Sequence, residues 1–319
     1  IHMLGKSITH DPKAWGVLLF VFLVNAFLPG RVDARGSFDA TSSAARVALE
    51  RLLPEAARDS LDHDAATFAA IAVAAMEVCF WSTVAFYETL DRLKLLQNYK
   101  LHDGDPDPEM VREALFDVLL GHFVIRPPLL YLAYPLFASE GWMQGAQMPE
   151  FLTFVWQVFL CMLADDTLFY WSHRALHHPS IYKYIHKKHH MFKKPVAIAT
   201  EYCHPVEDFI SNTLSTVIGP LLMKTHASVF FFYTTFKLVQ SLDAHSGFNL
   251  PFSPFSILDS MDCAPAHDFH HTHNVGNYGG FFIFWDWVCG TDGRYEKHLA
   301  KNKANVAYFN VVKGIEGIS

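Results

Sequence analysis

Between Trp171 and His190 the chain reads WSHRALHHPSIYKYIHKKHH, six histidines in twenty residues, and a second tract, HDFHHTH, runs from His267 to His273. Neutral imidazole ligates zinc, copper, iron and nickel, so tracts of this kind are candidates for metal chemistry. Residues three or four apart on a helix share a face, with roughly 5–6 Å between their Cβ atoms. His173 and His177 stand at i and i+4. His186 stands with His189 and His190 at i, i+3 and i+4, and His267 repeats that pattern with His270 and His271. The spacing predicts three helices, each aiming an imidazole cluster in one direction. A zinc site closes with about four ligands, so these residues are too many for one ion and imply two. A further ligand is expected from His245, in AHSGFNLP, or from His204, in EYCHPVED.

A solvated polar face, a tag or a pH sensor would account for one such tract, but not for three that repeat one spacing. His178 and His273 fall off the shared faces and are expected in supporting or exposed positions. His122 is expected to be packed or hydrogen-bonded. Metal-bound histidines usually donate their other N–H to a carboxylate or carbonyl. Asp166, Glu201, Glu207, Asp268 and Asp286 lie near the tracts, and Asp166, shortly before His173, is the best placed.

The elements that must hold these residues are apolar. Of 319 residues, 51% are hydrophobic, 28 are Phe and only 18% are charged, below the roughly 25% usual in soluble domains. A bilayer span needs roughly 20 mostly apolar residues. Candidates are residues 15–29, 65–87, 111–137, 151–170 and 209–242. In the third, Arg126-Pro127-Pro128 is expected to break the helix into a hairpin, because proline removes a donor and clashes with the preceding turn. Gly219-Pro220 and Lys224 mark a second hairpin. The expected fold is an all-α membrane bundle of about four to six embedded helices, capped by the histidine-rich centre. Six basic residues and no acidic one lie between Arg174 and Lys194, which places the histidines on the cytosolic side by the positive-inside rule.

Net charge of −7 argues against nucleic acid, whose binders carry a basic footprint. Five scattered cysteines without a C-x-x-C pair indicate neither a disulfide framework nor a thiolate zinc site. A metal centre against apolar helices suits a lipid substrate. Breaking an unactivated C–H bond requires a redox metal that activates O2, and iron matches neutral nitrogen ligands and that task.

The ordered set HRALHH, HKKHH, EYCHPVE, AHSGFNLP, HDFHHTHNVGNYG and WDWVCGTD resembles the fatty acid hydroxylase superfamily, and within it the C-4 methylsterol monooxygenases. The likeness covers roughly residues 151–295. It implies two non-haem irons held by His173, His177, His186, His189, His190, His267, His270 and His271, with His245 as a ninth ligand. His204, Asp166, Glu201, Asp268 and His178 are left as supporting residues or further ligands. It also implies residence in the endoplasmic reticulum membrane and electrons from NAD(P)H through cytochrome b5 and its reductase. The catalytic domain is expected over 111–298, after an N-terminal membrane or linker region at 1–110 and before a tail at 299–319. A hydroxylase or desaturase of another lipid, a metal transporter and a zinc-dependent hydrolase are the competing readings.

Overall fold

A computed structural model describes residues 63–138, 148–256, 261 and 263–302. The expected span at 15–29 lies outside these. Every regular element among the described residues is helical; the one β-type pairing is an isolated bridge between Lys100 and Phe248.

Helix α1, His63–Arg92, is apolar along most of its 30 residues. Helix α2, Pro108–Leu120, starts where Asp107 accepts the Glu109 N–H at 3.0 Å and Pro108 takes the first turn, where its missing donor is not needed. It runs through a π-helical turn, Gly121–Ile125, into α3, Arg126–Ala138. Helix α4, Phe151–Leu176, carries His173 near its end and is capped by His177. Helices α5, Ser215–Met223, and α6, Ala227–Ala244, form a hairpin that turns at Lys224 in the left-handed region. Helix α7, Cys263–His273, holds the last tract, and α8, Phe284–Cys289, follows it.

Three segments among the described residues are long and apolar enough to cross a membrane: Asp64–Arg92, Pro108–Phe137 and Phe151–Leu176. Their outward faces are apolar, with Val78, Leu132 and Leu152 each at least 70% exposed, as lipid-facing positions require. The expected break at Arg126-Pro127-Pro128 does not occur. The widened i→i−5 turn, in which the Arg126 N–H reaches the Gly121 carbonyl, rearranges the ladder just before the two prolines. The segment is therefore one continuous rod and not a hairpin. Gly219-Pro220 likewise lies inside α5, and the reversal comes four residues later.

Two cores fix the helices around the histidines. Phe154, Val158 and Cys161 of α4 pack with Phe232, Tyr233 and Phe236 of α6 and with Phe281. Phe68 of α1 packs with Tyr134 and Phe137 of α3 and Phe230 of α6. At the α4–α5 contact a Cβ on Gly219 would stand 2.9 Å from the Cys161 Cα, so the two backbones touch there. Gly219→Val is expected to force them apart and to destabilise the fold by about 1–3 kcal/mol. A thermal melt in detergent reads this, and an unchanged melting temperature would contradict it.

Candidate metal centre

The end of α4 carries His173 on its last turns and His177 as its C-cap. His186 stands in the turns after Tyr182, and His189 and His190 open a 3-10 turn, His189–Met191. The His186–His190 segment therefore does not form the α-helix that its spacing predicts. His245 caps the C-terminus of α6, and His267, His270 and His271 lie on α7.

These nine residues converge into two groups. His173, His177, His186, His190 and His270 form one and His189, His245, His267 and His271 the other, each with its potential ligand atoms within 4.8 Å of one another. All are buried except His177, which is half-buried. The division follows the helical offsets. Each i, i+4 pair (His173 with His177, His186 with His190, His267 with His271) enters one group, whereas His189 and His270, at i+3, enter the other. The clusters do not aim in one direction, as the spacing alone implies: each H-x-x-H-H tract straddles both groups, because i+3 and i+4 differ by one residue's rotation.

Six rings have a fixed tautomer. Nδ1 of His173 donates to the Tyr278 carbonyl at 3.0 Å, that of His186 to Glu207 Oε1 at 2.8 Å and that of His270 to the Gly276 carbonyl at 2.5 Å. Nδ1 of His189, His245 and His271 faces the carbonyls of Tyr202, Ser241 and Phe192 at 3.4, 2.7 and 3.0 Å. Their Nε2 atoms are thus bare lone pairs. They nonetheless approach each other closely, His173 to His186 at 3.1 Å and His245 to His189 at 3.1 Å, and Nε2 of His190 stands 3.1 Å from that of His270. Converging lone pairs repel unless a cation sits between them, and the donor set fits one cation per group. Burial, together with neighbouring imidazoles, also disfavours the protonated forms. His177 is lowered to about 3 and His245 to about 3, and His189 to about 4 by burial alone. Neutral imidazole is the form that ligates.

The carboxylates divide their work. Among the described residues Glu207, 4% exposed, is the carboxylate that touches a clustered histidine. Asp166 does not, although its place before His173 suggested it. Its Oδ1 accepts the backbone N–H groups of Gly280, Phe281 and Phe282 at 3.1, 2.8 and 3.1 Å. Asp286 accepts those of Tyr278 and Gly279 at 2.9 and 2.7 Å. Together they pin the loop whose Tyr278 carbonyl orients His173, so Asp166 acts on the site through the loop. Asp268 faces His102 at 3.5 Å.

His178 and His204 stay out of both groups. Each starts a short helix, accepting the Ser180 N–H at 3.3 Å and the Val206 N–H at 3.2 Å. The proline after each is the sequence signal for that role.

Glu201 also lies away from the groups. It binds His122 at 2.6 Å and Arg126 at 3.0 Å, tying the turn Ala197–Glu201 to the π-helical turn. His122 is fully buried and also meets Glu77 at 2.7 Å. Burial alone would raise the Glu201 carboxyl, but the Arg126 and His122 charges outweigh it and hold the group at about 2, below its ordinary 4.5. Its stabilising contribution is therefore complete above pH 4.5 and fades as the pH falls toward 2. Glu201→Gln is expected to cost about 3 kcal/mol at neutral pH and to flatten that acid limb of the melting curve. A variant with wild-type acid sensitivity would contradict it.

An apolar helical bundle with two buried groups of neutral histidines defines a membrane protein able to hold two metal ions. A sequence model of the fatty acid hydroxylase family matches residues 158–291. Methylsterol monooxygenase 1 of Danio rerio is 36% identical over 214 residues, covering 66% of this chain and 73% of the relative. A putative methylsterol monooxygenase of Dictyostelium discoideum is 32% identical, covering 69% and 82%. A very-long-chain aldehyde decarbonylase of Oryza sativa is 31% identical, covering 66% and 80%. The chain belongs to the fatty acid hydroxylase family. No solved structure matches it.

Proposed function

We propose that the chain is a membrane-bound di-iron monooxygenase that oxidises the C-4 methyl groups of sterols. The convergence of nine neutral imidazoles into two groups carries the metal assignment, and likeness to methylsterol monooxygenases at up to 36% identity supports the substrate. The five-histidine group and the four-histidine group would each hold one iron. The irons would supply O2 activation for attack on an unactivated C–H bond. Each round inserts one oxygen atom into a C–H bond and leaves the other as water, consuming two electrons and two protons. Repeated rounds take a methyl group through alcohol and aldehyde to carboxylic acid.

The protein's own contributions are positional. Six Nδ1 bonds fix the rings, Glu207 holds His186, and the apolar helices present the substrate and limit water. Under this reading the histidines face the cytosol, the membrane is that of the endoplasmic reticulum, and electrons come from NAD(P)H through cytochrome b5 and its reductase. Membranes carrying the protein, given a 4,4-dimethyl sterol, NADH and O2, are expected to form C-4 alcohol and acid products. Oxidation of another lipid with untouched sterol would reject the substrate and keep the enzyme class.

A further inference from the structure

A cavity of about 370 Å³ lies between α1, α6 and the turn around residues 250–255. Its walls are almost wholly apolar, with Phe86 of α1, Phe236 and Val239 of α6 and Phe252 among them. Phe86 is also 44% exposed on the outer side of a membrane-length helix. The cavity therefore communicates with the surface that lipid would cover.

Ser82, Thr83 and Thr235 also line the cavity, but their hydroxyls donate to carbonyls of their own helices, which leaves one polar cluster able to meet a ligand. Asp243, 4% exposed, lines the cavity together with Tyr87 and Ser253. The Tyr87 hydroxyl donates a short hydrogen bond to Asp243 Oδ1, and the Ser253 hydroxyl donates to the same oxygen at 3.1 Å. Both hydroxyl protons are thus committed to one oxygen, and among the described residues no hydrogen bond reaches Oδ2. The cluster can accept a hydrogen bond from a ligand, but it has no spare proton to give.

Depth adds a second constraint. Asp243 precedes His245 by two residues, about 3 Å of helix rise, whereas Phe232, also on the wall, lies eleven residues earlier, about 16 Å deeper along α6. The acceptor stands at the level of the histidine groups, and the apolar wall runs away from them.

We propose that this cavity binds a lipid alcohol, with Asp243 Oδ2 accepting the ligand's hydroxyl and the apolar body lying along α6 toward the bilayer. It rests on the sterol reading in one respect: on a sterol the C-3 hydroxyl adjoins C-4, so an acceptor at the level of the histidine groups would set the C-4 end of the ligand at that level, although no histidine lines the cavity itself. An aldehyde or ketone head, which only accepts hydrogen bonds, is disfavoured by the same cluster. Asp243 is here a binding residue that selects the ligand.

The test compares two ligands on one protein. Iron-loaded protein in nanodiscs is titrated with a 4,4-dimethyl sterol carrying a 3-hydroxyl and with its 3-ketone, and bound ligand is counted. The hydroxyl form is expected to bind about 10- to 100-fold more tightly, the value of a hydrogen bond to a charged group. Asp243→Asn, whose amide can donate to a ketone, is expected to shrink or reverse that preference while iron content stays at the wild-type level. Val239→Phe, which fills the cavity, is expected to weaken both ligands together.

Equal binding of the two ligands by the wild-type protein overturns the proposal, with no variant needed. So does an unchanged preference in iron-replete Asp243→Asn. Turnover is scored separately. A protein that selects the hydroxyl form but never oxidises C-4 retains the binding site and rejects the sterol oxidase reading.

Discussion

His270→Ala and His271→Ala are expected to abolish turnover by emptying different halves of the centre. The two residues adjoin in the chain, yet His270 belongs to the five-histidine group and His271 to the four-histidine group. Each variant should lose about one of about two iron equivalents, and turnover should fall by more than about 100-fold, since even partners of ligands cost 10- to 100-fold. Doubling the change to Ala at both positions should remove both irons and add nothing to the loss of activity. Iron analysis after anaerobic purification, with product formation from the same preparation, reads both quantities. Full iron in either single variant, or iron lost with activity intact, would defeat the two-ion reading.

Glu207→Ala should have the second largest effect. The carboxylate is buried and accepts the Nδ1 proton of His186 at 2.8 Å, so it fixes the tautomer that leaves Nε2 free and raises the basicity of the ring. Its removal is expected to lower iron affinity by about 10- to 100-fold, read as earlier stripping in a chelator titration. Glu207→Gln keeps an acceptor oxygen and should fall between the two. Loss of fold would release iron without graded behaviour, so the order Glu, Gln, Ala is the diagnostic result. Identical retention by all three would refute the role.

The chemistry of the centre was written plainly in the chain, because a helix turns spacing into direction. The pairs His173 with His177 and His267 with His271 follow from their offsets, whereas His270, expected on the same side as its neighbours, enters the other group. The set His186, His189 and His190 was legible as ligands but not as a shape: its three histidines meet the two groups from turns and a 3-10 segment, guided by long-range contacts no local pattern reports. The choice between His245 and His204 was open in the sequence until the proline after His204 is read as a helix start. Asp166 was misjudged for a similar reason. Chain proximity to His173 says nothing of the five backbone donors, more than a hundred residues later, that Asp166 and Asp286 hold. The prolines at 127 and 128 misled because propensity describes α-helix, and the chain widened to a π turn before them.

The acceptors behind the imidazoles have one further consequence. Of the six that fix a tautomer, five are main-chain carbonyls and one is a side chain, Glu207. A carbonyl is present whatever residue occupies the position, so the side chains of Phe192, Tyr202 and Tyr278 act on the centre by packing instead: Phe192 and Tyr202 meet edge to face in one small core, and the Tyr278 ring lies against His173, His177 and His270. Gly276 is the exception. Its φ is +64° and a Cβ would stand 2.1 Å from the Thr291 carbonyl oxygen, so the path itself excludes a side chain. Five of the six imidazoles are thus aimed by the path of the backbone and one by a side chain, so the path at Gly276 and the residue type at Glu207 are what hold the metal chemistry constant.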